Sequence, residues 1–260
     1  MQKGWKLTSR MPTCVCSRTC KRTDMNIINI CKAYFRLSVH NMKIIFGGKF
    51  IWFLLTAFAL FAYFMFDSAY RGEQPGDEHV YRFLFFPSLL LIFYPAVFGI
   101  QNDADNRILE ILFGIPNYKY KVWFARLILI YVEIFFILVI YAWIAKYLIY
   151  PVNQFQIAYE LMYPVLFMGN LAFFFSTITR NGNATAILII ICGIVTVVLS
   201  ADLTKNSMWD VTLNPLSMPD NIHAVIWSDT VLKNRIFLAI GSAVWMALGL
   251  LNLQKREKFI

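Results

Sequence analysis

Four charged residues lie close together between two long apolar runs: Asp103, Asp105, Arg107 and Glu110. Asp103, Arg107 and Glu110 recur at helical spacing, while the apolar residues at positions 108, 109, 111 and 112 lie within about one turn of each other. This pattern predicts a short amphipathic helix at a membrane surface. Pro116 ends that helix, because proline has no amide hydrogen and disfavours helical geometry in the residue before it.

Glu133 is a further candidate functional residue, because it is an ionisable residue in the middle of the third apolar run. A charged group at that depth costs at least about 2.5 kcal/mol. We therefore expect Glu133 to face protein, a cavity or a partner, or else to be protonated. A transport role and a structural hydrogen bond to a Tyr or Thr on another helix are equally good interpretations.

The sequence offers no catalytic or metal site. It has no G-x-x-x-x-G-K-[ST] nucleotide loop, because Gly47-Gly48-Lys49 lacks the upstream glycine, and neither H-E-x-x-H nor G-x-S-x-G occurs. Cys14, Cys16 and Cys20 could bind a soft metal, but no fourth ligand lies near them and the spacing matches no standard zinc pattern. We predict no catalytic residue, no metal and no cofactor in this chain.

The composition identifies the class of protein in which these residues must be positioned. Hydrophobic residues make up 59% of the chain, charged residues 15%, and the mean hydropathy is +0.58, whereas soluble domains are about 45–50% apolar. The continuously apolar runs favour helices over a barrel, whose strands alternate. We predict an all-α polytopic membrane protein with six transmembrane helices, at residues 50–66, 83–100, 122–149, 157–178, 184–200 and 236–253.

The basic residues predict the orientation of these spans. With the N-terminus inside, 18 of the 24 Lys and Arg residues fall in cytoplasmic segments. Both termini are therefore expected inside, with the chain multi-pass in the plasma (inner) membrane. The formal charge of +9 indicates topology and attraction to lipid headgroups, and no aromatic-basic motif for nucleic acid accompanies it.

The N-terminal 49 residues divide into two parts. Residues 1–24 are predicted to be a basic, disordered tail, and Met25 is an alternative translation start because a better organised segment follows it. From Met25 to Gly47, apolar residues recur at helical spacing beside a basic stripe, which predicts an interfacial helix. Residues 25–260 then form the transmembrane domain.

The stretch after the second span resembles the cytoplasmic coupling region of ABC-2 type transporter permeases. Family sequences commonly have an acidic residue, polar residues, Gly-Thr-Leu-Glu-x-Leu, a proline and a basic residue before the third span. Here Leu109-Glu110-Ile111-Leu112 and Pro116 match, whereas Arg107-Ile108 replaces Gly-Thr and Arg126 replaces a common Lys.

The resemblance implies a type V exporter-like architecture, with an N-terminal elbow helix and a coupling helix whose candidate residues are Asp103, Asp105, Arg107, Leu109, Glu110, Leu112 and Pro116. It implies a permease that dimerises with an identical or different protomer, and two cytoplasmic ATPase subunits that bind ATP and Mg²⁺. Membrane lipid surrounds the assembly. Family members also carry short re-entrant or interfacial helices between the last two spans, where residues 214–217 resemble them.

Two other classes of function remain open. An ion-coupled secondary carrier would use Glu133 and transport without an ATPase, although it would need several intramembrane charged residues. A membrane assembly protein would move no substrate. The sequence does not identify the substrate of a transporter.

Overall fold

The computed structural model describes residues 50–71, 76–105, 123–148, 151–202, 206–219 and 222–253. These residues form six long helices: α1 (Phe50–Arg71), α2 (Asp77–Asp105), α3 (Ala125–Leu148), α4 (Gln154–Thr179), α5 (Gly182–Asp202) and α6 (Ala224–Asn252). All six are long and apolar enough to cross a membrane. Each overlaps one predicted span, and the described part of the chain contains no strand. For the described residues, the predictions of helical structure and of six helices long and apolar enough to span a membrane are confirmed.

Helices α2 and α4 form the centre of the bundle. Their apolar spans are 67% and 61% buried, whereas the other four are between 17% and 39% buried. The two helices approach closely at Gly169, where a Cβ atom would lie 2.6 Å from Ile92 Cγ1 and 2.9 Å from the Tyr131 hydroxyl. A small residue at this point allows close packing of helices, which takes the place of a hydrophobic driving force inside a membrane.

Contacts between helix ends define the two ends of the bundle. The Gln101 side-chain Oε1 accepts a hydrogen bond from the Gly182 amide at 2.5 Å, and Asn252 Nδ2 donates to the Thr177 carbonyl at 2.9 Å. The end of α2, the α4–α5 turn and the end of α6 therefore lie together, at what we call the hairpin end. The opposite end carries residues 206–219, the cap segment, and we call it the cap end.

Helix α6 is longer than its predicted span, which began at Ile236. The helix starts at Ala224, so the segment between α5 and α6 is shorter than residues 201–235, which separate the two predicted spans. Hydropathy excluded residues 224–235 because several of them are polar. The structure keeps them helical through an i,i+4 ion pair between Lys233 and Asp229 and through Trp227 and Asn234, which face the cap segment.

Several predicted features lie outside the described residues. These are the tail at residues 1–24, the elbow helix at residues 25–47 and the coupling segment beyond position 105. Asp103 and Asp105 belong to the last turn of α2, which continues past the apolar run. The polar patch therefore begins within a spanning helix.

Candidate functional site

The most notable polar group within the bundle is an ion pair between Glu160 of α4 and Arg235 of α6. Arg235 Nη2 donates to Glu160 Oε2. The Glu160 side chain is only 8% exposed and that of Arg235 is 25% exposed. Because burying one such charge alone is costly, each residue stabilises the presence of the other.

The local sequence places this pair near the cap end. Helix α4 begins at Gln154, and Asn153 caps it by accepting a hydrogen bond from the Gln156 amide. Glu160 thus lies two turns inside α4. The Arg235 guanidinium lies 5.7 Å from the centre of the Tyr163 ring, within the range of a cation–π interaction. Glu160 and Tyr163 occupy neighbouring positions on one face of α4, so both face α6.

The cap segment is held by a carboxylate. Asp210 Oδ1 accepts hydrogen bonds from the Ser200 hydroxyl at 2.6 Å and from the Thr212 amide and hydroxyl at 2.9 and 2.8 Å. Asn234 of α6 donates to the carbonyls of Met208 and Asp210, at 3.1 and 2.7 Å. These bonds attach the cap segment to α5 and α6 beside the ion pair.

The same segment is also attached to α2. The Tyr81 hydroxyl donates to the Leu213 carbonyl at 3.3 Å, and Asn214 Nδ2 donates to the Glu78 carbonyl at 2.9 Å. The cavity that remains beside Glu160 and Arg235 has a volume of about 10 Å³, roughly the minimum that one water needs. The ion pair is therefore packed beneath the cap segment.

A second polar group crosses the centre of the bundle. The Tyr131 hydroxyl of α3 donates to Asn170 Oδ1 of α4 at 2.8 Å, and Asn170 Nδ2 donates to the Ser242 hydroxyl of α6 at 2.7 Å. Asn170 is 2% exposed. Its amide thus satisfies one hydroxyl on α3 and one on α6, as an apolar environment requires, and links both helices to α4.

Glu133 is half-buried on α3. Within the described residues it makes neither a hydrogen bond nor an ion pair, so the expected bond to a Tyr or Thr is not found there. Tyr131, two positions earlier, makes the inter-helix bond instead.

The predicted coupling residues are described only in part. The backbones of Asp103 and Asp105 are helical, while Arg107, Leu109, Glu110, Leu112 and Pro116 lie outside the described residues. The nearest described anchor is Gln101, which binds the Gly182 amide.

Sequence reasoning missed Glu160 and Arg235. A signal was available, because Glu160 is an acid within the fourth apolar run and Arg235 immediately precedes the sixth. Because successive spans cross the membrane in opposite directions, the fourth and the sixth begin at the same end of the bundle, and both residues lie near that end. Glu133 therefore shares the described candidate spans with a second acid, Glu160.

The ion pair and the hydrogen bonds described above can hold the helices together and couple their movements. In the described ranges, no three His, Cys, Asp or Glu side chains cluster where they could hold a metal ion. No protein-family model, curated protein or solved structure matches the chain. The function must therefore be inferred from the residues and from their arrangement.

Proposed function

We propose that this chain is the membrane-spanning subunit of an ABC-2 type ATP-binding-cassette transporter, which moves its substrate with ATP hydrolysed by a separate subunit. The observation that carries the proposal is the position of the coupling-like sequence. It begins at Asp103, in the last turn of the central helix α2, at the same end as the α4–α5 turn. A force applied there acts directly on the most buried span.

Helix α2 provides a mechanical route through the bundle. It has 29 residues and is therefore about 43 Å long. Near the hairpin end, its Val97 carbonyl accepts a hydrogen bond from the Ser176 hydroxyl of α4 at 3.0 Å. Near the cap end, Tyr81 and the Glu78 carbonyl bind the cap segment. Motion of the coupling segment would thus reach the cap through one helix.

The Glu160–Arg235 pair would resist motion that is transmitted along this route. It joins α4 to α6 beneath the cap segment, so opening the cap end between these helices requires that the pair separate or move as a unit. While the cap covers the pair, separating the two charges is costly, because each would stay buried without compensation. In this proposal, ATP-driven motion supplies the free energy that opens it.

The assembly in this proposal contains two permease protomers and two ATPase subunits, with ATP and Mg²⁺ bound in the ATPase subunits. The permease lies in the plasma (inner) membrane with both termini in the cytoplasm and functions in export. The charged residues Asp105, Arg107 and Glu110, with apolar residues between them in the sequence, would suit oriented contacts in a groove on the partner.

The proposal is tested by purifying the tagged chain from its native host and identifying co-eluting ATPases by mass spectrometry. Glu110→Lys and Leu109→Asp should each abolish ATPase co-elution while the chain stays inserted. Asp229→Lys is the control, because Asp229 is an exposed acid near the cap end, and its reversal should leave co-elution unchanged. Unchanged co-elution with both coupling variants would refute the coupling role.

A second candidate function is an ion-coupled carrier that uses Glu133. The supporting observation is that this half-buried acid has no polar partner among the described residues. The carrier predicts that purified chain in liposomes moves substrate along a proton gradient without ATPase. It also predicts that Glu133→Gln abolishes this movement. The ATP-driven permease predicts no such movement by the chain alone.

A further inference from the structure

An apolar groove runs along the membrane-embedded surface between α2 and α5. Its volume is about 620 Å³, within the range of about 300–1,000 Å³ typical of small-molecule sites. Its walls include Phe86, Leu89, Leu90, Phe93, Ile190 and Ile194. Both helices are apolar enough to span the membrane, so the groove opens to acyl chains rather than to water.

Gly193 lies in the wall of the groove and leaves space in it. A Cβ atom added at Gly193 would meet no heavy atom within 4 Å. This differs from Gly169 and Gly241, where a Cβ would lie 2.6 Å from a neighbouring side chain. Gly193 is therefore not a helix-packing glycine, and its missing side chain widens the groove.

The groove continues into a second cavity at the cap end, whose lining includes polar and charged side chains. Val197 and Thr212 line both spaces, and the second cavity has a volume of about 1,140 Å³. Arg82, which precedes Phe86 by one helical turn, lines the cavity with an exposed side chain. The combined space is therefore almost wholly apolar along the helices, and its cap end adds polar side chains and a cation.

The two charged residues described in the lining of this cavity, Arg82 and Asp210, differ in whether a ligand could reach them. Asp210 is 6% exposed, and its Oδ1 already accepts three hydrogen bonds. Arg82 is exposed and forms no ion pair among the described residues. The accessible charge in the lining is thus positive, and a guanidinium binds phosphate with paired hydrogen bonds.

We propose that this space is a binding site for an anionic glycerophospholipid from the membrane leaflet at the cap end. One acyl chain lies in the groove between α2 and α5, and the phosphate lies at Arg82. The order of surfaces matches the order of groups in the lipid, because the apolar groove follows the spanning helices and Arg82, the one cation among the described lining residues, lies at its cap end. The site needs no ATPase subunit, so it is independent of the transport proposal.

The test uses the purified full chain in nanodiscs of phosphatidylcholine that contain a small fraction of phosphatidylglycerol with a diazirine near the end of one acyl chain. After irradiation, mass spectrometry locates the cross-links. We expect labelling concentrated on residues 86–93 of α2 and 190–197 of α5. Unlabelled phosphatidylglycerol should compete at least fivefold better than phosphatidylcholine.

Two pairs of variants test the two halves of the site. Gly193→Phe should reduce the labelling at least fivefold by filling the groove, whereas Val195→Phe, at a 49% exposed position of the same helix outside the groove lining, should leave it unchanged. Arg82→Ala should remove the preference for phosphatidylglycerol. Lys146→Ala, which removes an exposed cation from the last turn of α3, should preserve it.

The outcome that overturns the proposal is labelling spread evenly over lipid-facing helices, including α3, without competition. That pattern indicates lipid that merely surrounds the protein. Competition in the wild-type chain decides the question even if Gly193→Phe fails to fold. A loss of ATPase co-elution has no bearing on this result, so the two proposals fail separately.

Discussion

Removing one charge of the buried pair of Glu160 and Arg235 should destabilise the chain far more than removing one charge of the exposed pair of Lys233 and Asp229. Removing one partner of a buried pair costs about 3–5 kcal/mol, because the other charge is left buried without compensation. Arg235 keeps 25% of its side chain exposed and can recover some hydration. We therefore expect Glu160→Ala to destabilise the chain by about 3 kcal/mol, at the low end of that range.

The control pair lies two residues away. Lys233 and Asp229 are 56% and 55% exposed, with Nζ 2.6 Å from Oδ2. Exposed i,i+4 pairs contribute about 0.3–0.5 kcal/mol, so Lys233→Ala should change stability by less than about 1 kcal/mol. The contrast comes from burial, since both pairs are in hydrogen-bonding contact.

The measurement is reversible unfolding of the purified chain in mixed micelles, followed by circular dichroism. A loss of about 3 kcal/mol is roughly a hundredfold change in the unfolding equilibrium. The double variant Glu160→Leu with Arg235→Met should be more stable than either Glu160→Ala or Arg235→Ala, because apolar residues of similar size replace both charges. If Lys233→Ala costs as much as Arg235→Ala, or if the double variant shows the sum of two single losses, burial of the pair is not the cause.

Three further predictions concern the packing and the cap. Asn170→Leu should cost about 1 kcal/mol in the same assay, because hydrogen bonds between membrane helices are worth about 0.6–1.7 kcal/mol; an unchanged stability would show that this amide does not join the helices. Gly169→Ala should cost about 1–3 kcal/mol through overpacking against α2, while Gly193→Ala, whose Cβ meets no atom within 4 Å, should be neutral; equal losses would contradict this difference. Asp210→Ala should weaken the cap segment by about 2 kcal/mol, which hydrogen exchange mass spectrometry would record as roughly thirtyfold faster exchange in residues 206–219. Unchanged exchange there would show that Asp210 does not hold the cap.

The sequence by itself determined the class and the number of spanning helices. Apolar runs of nearly 20 residues or more can satisfy their backbone hydrogen bonds in lipid only as helices or closed barrels, and the absence of alternation selected helices. The same reasoning failed at the start of α6. A hydropathy pattern detects contact with lipid and does not detect a partly polar helical segment that is stabilised by the cap segment, as residues 224–235 are.

The tertiary structure alone decided which polar residues meet. Glu133 and Glu160 are both single acids within apolar runs, yet only Glu160 receives a described cation, because α4 and α6 run parallel and bring position 235 beside position 160. The groove between α2 and α5 likewise depends on the space at Gly193, which composition does not reveal. Pairing and empty space are properties of several helices at once. A sequence pattern describes one helix at a time, so it predicts how each segment meets the membrane and leaves open how the segments meet each other.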